Sequence, residues 1–191
     1  MVGSDFFLDT NALIYLSGLK DSDRQIFKNK LEASNSELIV THIQIDEKYR
    51  KELPEYTQKI KKALESLRRK GIRIRTEATK GFVIGVSRIG HARLTSEDAG
   101  RLYNELRNEI DQCQKDKNQL KSTSNIACDA TIAISSLDHD FFVTTDKCLC
   151  IGWRKVISKH RTLLAQHKIP EIIYARRSPK EVARQILKHI P

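Results

Sequence analysis

Short apolar runs alternate along the chain with longer stretches whose apolar residues recur every three or four positions. That rhythm predicts strands exchanging with helices. Asp5-Phe6-Phe7-Leu8 is fit for a buried strand. Asp9-Thr10-Asn11 follows, residue types that favour helix caps, and Ala12-Leu13-Ile14-Tyr15-Leu16 begins a helix. Residues 22–34 read as a second helix, and Glu37-Leu38-Ile39-Val40 as a second strand ending at Thr41. A long helical stretch from about 43 to 70 is interrupted or restarted at Pro54 and closed by Arg68-Arg69-Lys70-Gly71.

The second half continues the alternation. Ile72-Arg73-Ile74-Arg75 alternates like a strand, and glycines punctuate 76–93, which reads as a loop or hairpin. Helices are expected over 96–113 and, strongly apolar, over 126–137, with a polar loop between them. Phe141-Phe142-Val143-Thr144-Thr145 is a strand ending at Asp146, 154–166 a helix, and Glu171-Ile172-Ile173-Tyr174 a last strand. Ser178-Pro179-Lys180-Glu181 opens a final helix, with a serine cap, proline at the first position and glutamate at the third. Helices between strands imply βαβ units and a mostly parallel sheet. The division expected is a main domain over 1–176, with 177–191 as a helical extension packed on it.

Composition narrows the class. At 191 residues the chain can bury one sizeable core. No apolar run reaches the length of about 20 residues that a membrane span needs. Met1 to Leu8 has no basic stretch leading into a long apolar one, so no secretory signal is read and a cytoplasmic protein is expected. Four cysteines, at 113, 128, 148 and 150, are too few for a disulfide scaffold and are expected to be reduced. Six scattered histidines show no metal spacing.

The net charge is +10, unevenly spread: −4 over residues 1–47, +8 over 48–80, −3 over 81–146 and +9 over 147–191. Folding can gather the acids into a pocket and leave a basic rim, which would steer a polyanion. Taken alone, a charge run is a solvated helix face.

Ligand sites of open parallel sheets lie beyond the C-terminal ends of the strands. Asp9 and Asp146 hold that position, Glu47 lies a turn and a half past the second strand, and Asp129 sits in the apolar helix. Asp129 shares a side of that helix with Ile126, Ala130, Ala133 and Leu137. Asp9 would equally cap the next helix, Glu47 would suit a helix N-terminus, and Asp146 would shape a turn. An ionised Asp129 on a buried face needs a basic partner or a metal. Together, carboxylates without nearby His or Cys suit Mg²⁺ or Mn²⁺ and point to phosphodiester hydrolysis. Trp153 with Arg154 and Lys155, and Tyr49 and Tyr56, offer base stacking or plain core packing.

These blocks resemble PIN-domain nucleases, including the compact toxin ribonucleases of the VapC type. Phe6 to Tyr15 resembles the opening strand and Asp-Thr-Asn, and Val40 to Glu47 the second block. Asn125 to Ala133 resembles the Asp-bearing helix, and Val143 to Asp146 the final strand and acid. The resemblance implies a three-layer α/β/α sandwich with a short, mostly parallel central sheet. It implies an endoribonuclease site in which Asp9, Glu47, Asp129 and Asp146 bind Mg²⁺ or Mn²⁺. Thr10, Asn11 and Thr145 would support these acids, and Lys48, Arg50, Lys51, Arg154 and Lys155 would hold RNA. A homodimer and, for a toxin, a small antitoxin partner belong to the same expectation. The chain departs from the pattern at Cys148, where many relatives carry another Asp, and is longer than the compact toxins. A nuclease-like module that binds RNA or protein without cutting is the alternative.

Overall fold

The computed structural model describes residues 3–45, 54–80, 92–93, 97–118 and 121–190. In chain order the elements are β1 (Asp5–Leu8), α1 (Thr10–Ser17), α2 (Asp21–Ala33), β2 (Glu37–Thr41), α3 (His42–Ile45), α4 (Pro54–Arg69), β3 (Ile74–Glu77), β4 (Thr79–Lys80), β5 (Ala92–Arg93), α5 (Glu97–Lys115), α6 (Thr123–Ser135), β6 (Phe141–Thr144), α7 (Lys147–Lys159), β7 (Glu171–Tyr174) and α8 (Pro179–Lys188).

The central sheet has the order β3-β2-β1-β6-β7, and every pairing in it is parallel. Successive strand residues face opposite ways. Phe6, Leu8, Leu38, Val40, Val143 and Ile173 therefore enter one core with apolar residues of α1, α2, α4 and α8. Phe7, Ile39, Phe142 and Ile172 enter the other with residues of α5, α6 and α7. The result is the parallel sheet that the alternation implies, inside the three-layer α/β/α sandwich that the resemblance implies. Each large side chain fully buried this way contributes about 1.5–3 kcal/mol relative to exposure. Trp153 is one of them, with no exposed surface, so it is core and not a platform for a base.

The strand order places the site. From β1 the chain moves to β2 on one side and on to β3, then crosses to β6 on the other side of β1 and on to β7. The order reverses between β1 and β6, and ligands of such sheets bind outside the strand ends at that crevice. Leu8 pairs with Val143 there, and the Asp9 amide donates to the Val143 carbonyl at 2.9 Å.

Local details differ from the sequence reading. β3 begins at Ile74, because Ile72 is used to close α4: its amide bonds the Leu67 carbonyl at 3.1 Å, with Gly71 at φ 78° making the turn. The pair β4–β5 is parallel, which a hairpin cannot be; residues 81–91 between its strands lie outside those described. Helix α7 starts at Lys147, seven residues before the expected start, because Asp146 caps it.

The cysteines need the clearest correction. Cys113 at the end of α5 and Cys148 in the first turn of α7 form a disulfide, their Cα atoms 5.5 Å apart, a normal separation for the bond. Cys128 and Cys150 are buried and take no part in a disulfide. The close packing of α5 on α7 brings the pair together. A Cβ at Gly152 of α7 would lie 3.3 Å from Glu109 Cβ of α5, so a larger residue there would push the helices apart. Among the described residues no helix is long and apolar enough to cross a membrane.

Candidate functional site

Asp9 and Asp146 end neighbouring strands, and each also caps the helix that follows. Asp9 Oδ1 accepts from the Ala12 amide at 2.5 Å, and Asp146 Oδ1 accepts from the Leu149 amide at 3.0 Å. Capping commits one oxygen of each carboxylate. The second oxygen is spent differently. Asp9 Oδ2 accepts from the Thr144 hydroxyl and from the Thr145 amide at 3.1 Å. The Thr144 hydroxyl oxygen in turn accepts from the Asp146 amide at 3.0 Å, so one threonine joins the two acid positions.

Asp9 is buried, 3% exposed. Loss of hydration pushes its carboxyl up to about 6; the hydrogen bonds from Thr144, Ala12 and Thr145 oppose the rise, and the charge of Asp129 adds to it.

Asp129 stands on α6, whose N-terminus is capped by Ser122 accepting from the Asn125 amide at 3.3 Å. Ile126, Ala130, Ala133 and Leu137 are buried as expected, and the Asp129 side chain lies at the margin, 20% exposed. Its partner is Lys121, the residue just before the cap. Lys121 Nζ donates to Asp129 Oδ2 at 2.8 Å and also to Asp146 Oδ2. The ammonium thus bridges the carboxylates of α6 and of the β6–α7 junction. Burial works against the charged lysine, but the two carboxylates outweigh it and hold its pKa above the usual range. Burial works against ionised Asp146 too, and the attraction of Lys121 with the hydrogen bonds leaves its carboxyl below the usual range.

The remaining expected residues fall in three groups. Glu47, Lys48, Arg50 and Lys51 lie outside the described residues. Thr10 is buried beside Asp9; Asn11 Oδ1 accepts from the Tyr56 hydroxyl at 2.6 Å, tying α1 to α4; Thr145 gives its amide to Asp9, and its buried hydroxyl has no hydrogen-bond partner among the described residues. Arg154 donates to the Ile172 carbonyl at 2.8 Å, and Lys155 to Glu109 at 2.9 Å, so both join α7 to neighbouring elements.

Three contributors escaped the sequence reading. Lys121 lay in a stretch read only as polar loop. Thr144 is the strand residue expected, and its second role, as the hydroxyl that joins the two acids, was signalled only by the Thr-Thr-Asp run. Gln44, fully buried, accepts from the Thr41 amide at 2.7 Å and donates to the Leu8 carbonyl at 3.0 Å, fixing the ends of β1 and β2 beside Asp9.

Among the described residues no three His, Cys, Asp or Glu side chains form a metal-holding group. The fit to a divalent ion rests instead on two carboxylates already sharing one cation. The Lys121 ammonium stands where Asp129 Oδ2 and Asp146 Oδ2 converge, and the donors are hard oxygens suited to Mg²⁺ or Mn²⁺; the hydroxyl of Thr145, next to Asp146 in the chain, is buried and has no hydrogen-bond partner among the described residues.

No protein-family model matches the chain, and comparison with curated proteins gives no match. Among solved structures it is similar to a crystal structure of VapBC2 from Rickettsia felis bound to a DNA fragment from their promoter. The identity is 15% and the TM-score 0.39, over 88% of this chain and 98% of that one. A likeness this slight carries no argument about activity, and the site rests on its own geometry.

Proposed function

We propose that the chain is a divalent-metal-dependent endoribonuclease whose centre is the crevice between β1 and β6. The observation that carries this reading is the convergence of Asp129 and Asp146 on one cation at the switch point of a parallel sheet, with buried Asp9 alongside. In this reading Asp129 and Asp146 hold the ion, with Glu47 as a fourth acid. Asp9 fixes the β1–β6 crevice through Thr144 and Thr145 and adds negative charge. Mg²⁺ or Mn²⁺ bound there would lower the pKa of a water and offset charge at the phosphate. The helix caps keep Asp9 and Asp146 from rotating, and Thr144 keeps their spacing, so the donors are in place before substrate arrives. The basic segments around 48–80 and 147–191 supply the attraction for RNA.

A toxin role, with a small antitoxin partner, a homodimer and a cytoplasmic setting, extends the same proposal. The disulfide weighs against the cytoplasmic part of it, because such bonds persist in oxidising compartments. A second reading, a nuclease-like module that binds RNA or protein without cutting, is favoured by Lys121 already standing between the two acids.

The deciding experiment is cleavage of a mixed, end-labelled RNA pool in EDTA, Mg²⁺ or Mn²⁺ by wild type and by Asp129→Asn. Cleavage that requires metal and disappears in the variant supports the nuclease. A folded, metal-loaded protein that leaves the pool intact supports the binding module.

A further inference from the structure

We infer that Lys121 is an internal gate on the metal position: its ammonium and a divalent ion compete for the same place between Asp129 and Asp146, so loading the site requires the lysine to leave. The inference rests on the metal-site reading above and adds its regulation by a residue of this chain.

The geometry leaves little room for both cations. Lys121 Nζ is within hydrogen-bond distance of Asp129 Oδ2 and Asp146 Oδ2. A magnesium ion bound by these oxygens would sit about 2.0–2.1 Å from each. That volume is the one the ammonium fills. Asp146 Oδ1 accepts from the Leu149 amide, so Oδ2 is its oxygen turned to the cation. Both oxygens of Asp9 are held by hydrogen bonds from Ala12, Thr144 and Thr145, which fix its orientation. The exchange is also balanced in charge. With Lys121 in place the pair of carboxylates carries a net −1; without it they carry −2, which is what a divalent ion neutralises.

Lys121 is built to leave. Its side chain is 28% exposed, and it sits just before the Ser122 cap, outside the helix. Lysine is a compact point charge on a flexible stem, so it can withdraw without disturbing α6. While it stays, it holds two partly buried carboxylates together that would otherwise repel.

The test is calorimetric titration of Mn²⁺ into metal-free wild type, Lys121→Met, Lys121→Gln and the double variant Lys121→Met with Asp129→Asn. The expected result is at least tenfold tighter Mn²⁺ binding by Lys121→Met and by Lys121→Gln than by wild type, lost in the double variant. Equal or weaker binding by both single variants, in a wild type that binds Mn²⁺ and cuts RNA, overturns the gate and leaves the nuclease reading standing. Absence of Mn²⁺ binding in wild type and single variants alike overturns both. Because the variants start with an unbalanced acid pair and are at risk of misfolding, a second measurement uses wild type alone. Amine acetylation of Lys121, mapped by mass spectrometry and normalised to Lys168, should rise at least threefold at millimolar Mn²⁺. Labelling that Mn²⁺ does not change overturns the gate.

Discussion

The sheet carries two collections of acids, and they differ in how far water shares in balancing them. In one, Asp5, Glu37 and Glu77 surround a single arginine, and Asp140 has a lysine of its own. Arg75 reaches Asp5, Glu37 and Glu77 at 3.1–3.6 Å, His139 lies 3.2 Å from Glu77, and Lys168 pairs with Asp140. The four acidic side chains there are 29–38% exposed, so water shares the work of solvating them. In the other, Asp9 is buried with hydrogen bonds, and Asp129 and Asp146 share one lysine. Acid number alone therefore does not mark a site. What separates the two collections is burial, together with the helix caps that fix Asp9 and Asp146 in place.

Substitutions that treat the two collections alike sharpen this contrast. The largest difference should be in activity. Asp146→Asn keeps a side chain that caps α7 as well as Asp does, yet should lower RNA cleavage by about 10²–10³-fold or more. Arg75→Met, in the other collection, should leave initial rates within about twofold of wild type, since its exposed pairs contribute little. Equal losses in the two variants would break the contrast.

Next in size is the staple beside Asp146. Reducing the Cys113–Cys148 bond, or replacing Cys113 by Ser, should lower unfolding free energy by about 2–4 kcal/mol, read from urea titration of oxidised and reduced protein. An unchanged midpoint would mean that the α5–α7 packing holds without it.

Asp9 gives a smaller effect of opposite sign. Its folded pKa of about 6 lies above the ordinary 3.8, so the fold disfavours its ionised form. Below pH 3.8 both states bind the proton and no penalty exists; between 3.8 and 6 the unfolded state loses its proton first and stability falls; above 6 the penalty is complete. Its full size is about 3 kcal/mol. Asp9→Asn removes it but gives up one acceptor, so in EDTA at pH 7.5 the variant should be more stable by about 1–2 kcal/mol. That advantage should vanish near pH 4. A variant less stable at pH 7.5 than at pH 4, relative to wild type, would contradict the burial argument. The smallest effect belongs to the other collection: Arg75→Met should cost at most about 1 kcal/mol in the same titration.

The strands and their parallel sheet were legible because the apolar runs at 5–8, 37–40, 141–145 and 171–174 have strand length and sit between helical patterns, while the layering followed from the resemblance. The acids after β1 and β6 were legible for the same reason, since strand ends name the switch point once the order is known. The early start of α7 was hidden because Gly152 and two cysteines weaken its helical pattern, while the packing that needs Gly152 lies on α5. Lys121 was hidden because its partners stand 8 and 25 residues away, and nothing local to a lysine in a polar stretch reports that. The disulfide spans 35 residues, and its pairing depends on the helices meeting. Local pattern carried the elements and the caps; the cross-chain pairings that balance charge at the site came only from the fold.

The most direct test of the central claim is the rate of RNA cleavage by wild type as Mn²⁺ is added back to metal-free protein, run beside Asp129→Asn of matched circular dichroism. The account predicts cleavage that saturates with Mn²⁺, is absent in EDTA and is absent in the variant. Cleavage that persists in EDTA, or that Asp129→Asn retains, would contradict it.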